Sequence, residues 1–336
     1  MKRKTVLLLC VIFALIAAST AFAGGNSEAG GSGGTRTFRL GHQAPAGTAY
    51  DILSTKFKEY VETRSNGRFK IEIYSGGQLG GDRVLMESTQ AGTVDFSVLT
   101  ASDMGNFAKE LEVQDLPFLF ENWDQVFKFL DSPFAQEFYG VSDSAGVTTL
   151  AFMPRGFRHA TNNKAPITKP SDFQGMKLRV VDSAIYLSTF RALGANPQAM
   201  AWGEVYTALQ QGTVDGHENT IVTITDYKIN EVQKYLSKTG HIFAFASIVV
   251  NPALLKGLSA EDQQLIRKAA VDAGKDVGAQ QQETENKAAA TLQSSGMQIN
   301  EVPDKQAFID KMGPVYDDFF KTHNRKWFDG IKAAAK

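Results

Sequence analysis

Apolar residues change their spacing several times along the chain, and each change marks an element. Phe69-Lys70-Ile71-Glu72-Ile73-Tyr74 alternates with the period of two that a half-buried strand requires, and 37–40 reads as an earlier strand. Between them Ile52, Phe57, Tyr60 and Val61 recur near helical spacing, which predicts an amphipathic helix over 50–64. A strand, a helix and a strand in succession point to an α/β sheet. Further on, 147–153 reads as a buried strand leading to Arg158. Ser259-Ala260-Glu261-Asp262 resembles a capping box that opens a helix running towards Leu292. At 1.5 Å per residue, a helix of up to about 30 residues would span about 45 Å, long enough to brace two domains.

One segment has an echo. Gln90-Ala91-Gly92-Thr93-Val94-Asp95 resembles Gln210-Gln211-Gly212-Thr213-Val214-Asp215 at an offset of 120 residues (212 − 92). Each copy follows a predicted helix, 83–91 or 203–211, with its glycine where a helix C-terminus favours the left-handed conformation. Chance similarity of a common helix-stop pattern is one reading; two similarly built domains is the other. On the second, Asp82 matches Trp202 at the helix starts, Leu99 matches Asn219, and Asp82, Thr100, Trp202 and Asn219 are nominated to line a cleft. The reason is that ligands of open α/β sheets sit beyond the carboxyl ends of the strands.

Composition narrows the class. Lys2, Arg3 and Lys4, the apolar run 6–18 and Ala21-Phe22-Ala23 read as an export signal cleaved near Ala23, and GGNSEAGGSGG over 24–34 has the make-up of a flexible tether. Cys10, the one cysteine, falls inside that signal. Removing the three basic residues of the signal from 35 leaves 32 against 36 acidic ones, a formal charge of −4. That mild balance carries no footprint for nucleic acid or anionic lipid. About 300 residues after the tether favour two domains over one.

Candidate chemistry is that of binding. No dinucleotide fingerprint, P-loop or nucleophile elbow occurs, and Gly76-Gly77-Gln78-Leu79-Gly80-Gly81 lacks the lysine of a phosphate loop and reads as a turn. His42, His159, His217, His241 and His323 lack zinc spacing, and nothing marks a nucleophile for His159 or His217 to activate. Neither a metal nor a cofactor is expected. Two arginines on consecutive predicted strands stand out: Arg158 in Gly156-Phe157-Arg158-His159 and Arg179 in Gly175-Met176-Lys177-Leu178-Arg179-Val180. A guanidinium presents a planar fork of donors that fits a carboxylate, so a pair aimed at one cleft would hold an organic acid. Alternation places Lys177 and Arg179 on the face opposite Met176, Leu178 and Val180. An isolated arginine there would otherwise be a surface ion pair of little worth.

The ordered motifs Gly77-Gln78-Leu79-Gly80, Gly92-Thr93-Val94-Asp95, Asp115-Leu116-Pro117-Phe118, Gly175 to Arg179, Gly203-Glu204-Val205-Tyr206 and Asp215-Gly216-His217-Glu218-Asn219 resemble the DctP-type solute-binding proteins of TRAP transporters. The resemblance covers nearly all of the chain after the tether. It implies a non-catalytic receptor with an α/β, two-domain periplasmic-binding-protein-like fold of type II-like form, whose hinged lobes share a long bracing helix. The implied layout is a signal over 1–23, a linker over 24–36, one lobe from 37–155 with 245–284, and another from 156–244 with 285–336. Location would be periplasmic, and the partners an organic acid and the small and large TRAP permease subunits.

The same resemblance implies that Arg179 pairs with the ligand carboxylate, that Arg158 helps, and that Asn219, Gln43, Asp82, Thr100 and Trp202 contact the rest of the ligand. Thr100 stands where sialic-acid binders have an acidic contact, which counts against sialic acid. His217 replaces a glutamine common in the Asp-Gly-Gln-Glu-Asn pattern, so that loop would read a different ligand edge. An indole at Trp202, with Gln43, Asp82, His217 and Asn219 as hydroxyl partners, favours a sugar acid such as glucuronate or galacturonate. Trp202 as simple core packing, a C4-dicarboxylate or a keto or aromatic acid as ligand, a sugar-acid enzyme, and delivery to a sensor instead of a permease are the alternatives.

Overall fold

Among the described residues ten strands form the sheet: β1 (Arg36–Gly41), β2 (Phe69–Tyr74), β3 (Phe96–Thr100), β4 (Thr148–Asn162), β5 (Lys177–Val180), β6 (Asn196–Ala199), β7 (Gly216–Thr220), β8 (Tyr235–Lys238), β9 (Phe243–Val250) and β10 (Gln298–Glu301). The computed structural model describes residues 35–336. The expected export signal and the glycine-rich tether lie outside them, and the first strand begins at Arg36, the last residue given to the linker.

Strand order is β2-β1-β3-β9-β4-β7-β5-β6, with β8 beside β4 and β10 beside β8. In one half β1 runs parallel to β2 and β3; in the other β5 runs parallel to β6 and β7. The two halves therefore repeat one arrangement, 2-1-3 and 6-5-7. β4 belongs to both, because its first part pairs antiparallel with β9 and its last five residues pair with β7. The α/β fold read from the alternation is the observed one.

The echo has a structural cause. The helices Asp82–Gln90 and Trp202–Gln210 start 120 residues apart (202 − 82) and end 120 apart (210 − 90), each one residue earlier than the sequence pattern predicts. After each comes a glycine in the left-handed region, Gly92 at φ 73° and Gly212 at φ 68°. The aspartate that closes each copy then fastens the helix end to a strand. Asp95 Oδ2 accepts from the Arg39 amide at 2.7 Å, and Asp215 Oδ2 accepts from the Lys177 amide at 2.8 Å. The same short sequence thus solves the same closure problem in both halves.

Two of the apolar cores take the two halves. Phe38, Leu53, Phe57, Phe96 and Ile248 pack in one, and Val205, Leu209, Val214 and Ile224 in another. Burying each such side chain contributes about 1.5–3 kcal/mol. The helix Ala260–Ser294 serves both: Ile266, Ala269, Ala270, Ala273 and Val277 enter the first core, and Ala288 and Leu292 the second. Its 35 residues correspond to about 52 Å of length. Ser259 caps it by accepting from the Asp262 amide at 3.1 Å. Where it crosses β4 it carries glycine, since a Cβ on Gly274 would lie 2.7 Å from the Phe152 carbonyl oxygen. Gly274→Val is expected to force helix and strand apart and to destabilise the protein by about 1–3 kcal/mol, as read from chemical denaturation.

Candidate functional site

Thr100 ends β3, Arg179 and Asn219 are the penultimate residues of β5 and β7, and Gln43 follows β1. All four stand at the carboxyl ends of parallel strands, where ligands of open sheets sit. With Arg158 and Trp202 they line an inner cavity of about 70 Å³. A wider outer cleft of about 690 Å³ shares Gln43 and Trp202 with it and adds Asp82. Seven of the eight expected residues therefore converge on one connected site, and His217 does not line it.

Arg179 is 3 % exposed. Its Nε and Nη2 donate to the Met200 carbonyl at 3.0 and 2.5 Å, and its Cζ lies 5.5 Å from the centre of the Trp202 ring. No carboxylate oxygen of the described residues lies within the 4.0 Å of an ion pair, and Nη1 has no partner among them. Burial pushes its pKa down to about 10, with the Glu218 charge opposing, so the group remains cationic at neutral pH. A buried cation without a counter-ion is costly, and a ligand carboxylate would supply the missing charge.

Arg158 differs. It is 1 % exposed, and its Nε and Nη2 grip the two carboxylate oxygens of Glu218, which is fully buried. Nη2 also donates to the Glu218 carbonyl at 2.8 Å. His241 Nε2 lies 3.2 Å from Glu218 Oε2 and fits the donor role, with Nδ1 accepting from Thr239 at 2.7 Å. Burial alone would raise the Glu218 pKa; the Arg158 charge and the His241 bond outweigh it and hold the group down at about 2. Arg158 is thus neutralised by the protein and brings only its unpartnered Nη1 to the cavity.

The remaining expected residues divide by their free atoms. Asn219 spends Oδ1 on the Thr220 amide at 2.9 Å, which leaves the Nδ2 donors for a ligand. Thr100 Oγ1 bonds the Tyr50 hydroxyl at 2.9 Å. Asp82 spends Oδ2 on the Thr100 amide at 3.0 Å, while its buried Oδ1 has no partner. Asp103 stands beside it, and burial first, then the Asp82 charge, push the Asp103 pKa well up. Trp202 holds its ring edge-on to Tyr227 at 4.9 Å.

His217 sits behind the wall, with Nδ1 2.7 Å from Thr161 Oγ1 and its ring 6.1 Å from that of Trp202. Burial first, and Arg179 among the opposing charges, lower its pKa to about 3, so the imidazole is neutral. The role expected of it as a hydroxyl partner is not met by its position.

Sequence reasoning left Tyr50, Asp103, Arg155, Asp226 and Tyr227 unassigned, all of which line the inner cavity. It also left Glu218 without a role, although the residue lies inside a motif that was singled out. Among the described residues no group of three or more His, Cys, Asp or Glu side chains could hold a metal ion, and no helix is long and apolar enough to cross a membrane.

Comparison with known proteins matches the chain to bacterial solute-binding proteins. The profile of DctP, described as bacterial extracellular solute-binding protein, family 7, matches residues 40–323. A solute-binding protein of Verminephrobacter eiseniae is 33 % identical over 298 residues, covering 89 % of each chain. A TRAP periplasmic solute-binding protein of Chromohalobacter salexigens, solved with bound D-glucuronate, superposes with a TM-score of 0.84 at 30 % identity over 88 % of this chain and 99 % of that one. One from Shewanella oneidensis with bound succinate gives a TM-score of 0.84 at 28 % identity over 90 % and 100 %.

Proposed function

The chain belongs to the DctP family of bacterial extracellular solute-binding proteins, and from that premise we propose that it is the receptor for a sugar acid, a hexuronate such as glucuronate or galacturonate. The family consists of solute receptors, not enzymes; it binds small organic acids and works with the membrane components of TRAP transporters. One observation carries the reading of an acid: Arg179, a buried guanidinium facing the cavity with no carboxylate of the described residues within 4.0 Å.

Several features support a hydroxylated acid over a plain dicarboxylate. Asp103, Asp182 and Asp226 line the inner cavity, and such carboxyl groups disfavour a second ligand carboxylate. Asn219 and Gln43 offer amides, and Trp202 offers an aromatic face for the C–H surface of a sugar ring. Relatives with bound glucuronate and with bound succinate mark the two alternatives.

Capture proceeds without chemistry. The acid enters through the outer cleft, its carboxylate meets Arg179, and removal of water strengthens the pair as the lobes, 37–155 with 245–284 and 156–244 with 285–336, close on it. The ligand favours the closed arrangement by its differential affinity. After export and removal of the first 23 residues, the loaded receptor delivers its acid to the permease subunits in the periplasm.

A thermal-shift screen of glucuronate, galacturonate, succinate and glucose tests this. At a hundredfold excess over Kd a hexuronate is expected to raise Tm by about 4–8 °C, and neutral glucose not at all. A shift with succinate alone would turn the assignment to a dicarboxylate, and no shift with any acid would overturn it.

A further inference from the structure

Arg155 is 8 % exposed, lines the inner cavity and has no part in the carboxylate anchor described above. Its place there follows from an irregularity in β4. Pro154 pairs with Phe245 and Gly156 with the adjacent Ala244, so Arg155 is an extra residue that β9 does not match. Such a bulge re-aims a side chain. In a regular strand Arg155 and Arg158, three apart, would point to opposite faces. The inserted residue reverses that parity, and both line the same cavity. Gly156 permits the turn, at φ 118°.

The guanidinium is held but not neutralised. Nη2 donates to Thr223 Oγ1 at 2.8 Å, and Cζ lies 4.9 Å from the centre of the Tyr50 ring. Nε and Nη1 have no partner among the described residues, and no carboxylate of theirs comes within 4.0 Å. Asp226 closes the short helix Ile221–Asp226 that carries Thr223; its carboxylate lines the same cavity and likewise has neither hydrogen bond nor ion pair among the described residues. Arg179 and Arg155 rest on different aromatic rings of the site. Arg179 lies over Trp202, Trp202 meets Tyr227, and Tyr227 packs against the core that contains Tyr50, the ring beneath Arg155.

We propose that Arg155 and Asp226 form a second recognition pole, which binds a hydroxyl group at the end of the ligand remote from the carboxylate on Arg179. A hydroxyl both donates and accepts, and so satisfies the free donors of Arg155 and the free acceptors of Asp226 together. A carboxylate at that end would suit Arg155 but repel Asp226. An alkyl end would leave both groups desolvated and unpaired, which is how a site built for hydroxyls rejects analogues that lack them. The proposal deepens the acid-receptor reading and rests on it, and it makes Arg155 a specificity-determining residue.

Calorimetric titration of the wild type, Arg155→Met, Arg155→Lys and Asp226→Asn with D-glucuronate, D-galacturonate, D-galactarate and hexanoate tests it. The wild type is expected to bind a hexuronate in preference to galactarate and hexanoate, which have the same number of carbons. Arg155→Met is expected to weaken the better hexuronate by about 10- to 100-fold and not to weaken hexanoate, whose alkyl end no longer desolvates an unpaired guanidinium. Arg155→Lys should fall between, because it keeps the charge without the paired donors, and it decides the matter if the methionine variant does not fold. Hexuronate affinity within about twofold of wild type in the folded Arg155 variants would overturn the second pole while leaving the acid receptor standing. So would tighter binding of galactarate or hexanoate. If no acid binds the wild type at all, the acid-receptor reading falls, and this assignment with it.

Discussion

Arg179→Met is expected to weaken binding of the captured acid by about 30- to 1000-fold, a loss of about 2–4 kcal/mol. The size follows from the surroundings of the group. At 3 % exposure, water does not reach the guanidinium freely, and the protein places no carboxylate within 4.0 Å of it. A ligand carboxylate therefore meets a cation whose field is weakly screened, and its removal leaves that carboxylate buried without its partner. Methionine keeps much of the volume, so packing against Trp202 is retained and the change reads charge and hydrogen bonding. Ligand-free stability should move in another way. The variant gives up the bonds to the Met200 carbonyl but is relieved of an uncompensated buried charge, so its unfolding free energy should not fall by a comparable amount. Calorimetry and denaturant unfolding on the same preparation separate the two effects. Loss of binding that merely tracks loss of stability would mean that Arg179 is structural.

Glu218→Gln is expected to do the reverse, lowering stability by about 3–5 kcal/mol, or roughly 6–15 °C in Tm. The side chain keeps its shape and loses its charge, which leaves Arg158 buried at 1 % exposure without its paired carboxylate. The wild-type protein should show the same dependence through pH. The folded-state pKa of Glu218, about 2, lies below the ordinary glutamate value of about 4.3. Its contribution is therefore fully present above about pH 4.3 and is lost as pH falls towards 2. Stability measured between pH 5 and pH 2 should decline more steeply for the wild type than for Glu218→Gln. Parallel curves would show that the pair contributes nothing to folding.

How far the site could be read in advance depended on whether a residue's direction follows from local spacing. Arg179 lies in a short regular strand, so alternation alone placed it opposite Leu178 and Val180. Asp82 and Trp202 were reached through the 120-residue echo, because helices that begin after equivalent strands bring their first residues to the same edge of a sheet. Gly92 and Gly212 marked the helix ends by a conformation that few other residues adopt without strain.

Arg155 was invisible to the same reasoning. Counting by twos from Arg158 puts it on the wrong face, and only the register against β9, a strand nearly a hundred residues later, reveals the bulge that turns it inward. The partner of Arg158 was hidden for a related cause, since Glu218 is 60 residues away and meets it only once β4 and β7 pair. That pairing makes Arg158, expected to assist Arg179, half of an internal ion pair. His217 shows the opposite error: the motif that contains it reaches the cavity through Asn219, two residues on, while its own ring turns to Thr161 behind the wall. Periodicity placed residues that act along their own element, and long-range register placed those that do not.

A crystal structure of the protein with the acid that gives the largest thermal shift tests the central claim most directly. The account predicts a carboxylate oxygen of the ligand within hydrogen-bond distance of Arg179 Nη1, about 2.7–2.9 Å, with Arg158 still paired to Glu218. A ligand whose carboxylate points away from Arg179, or a ligand bound outside the cavity that Arg179, Trp202 and Asn219 line, would contradict it.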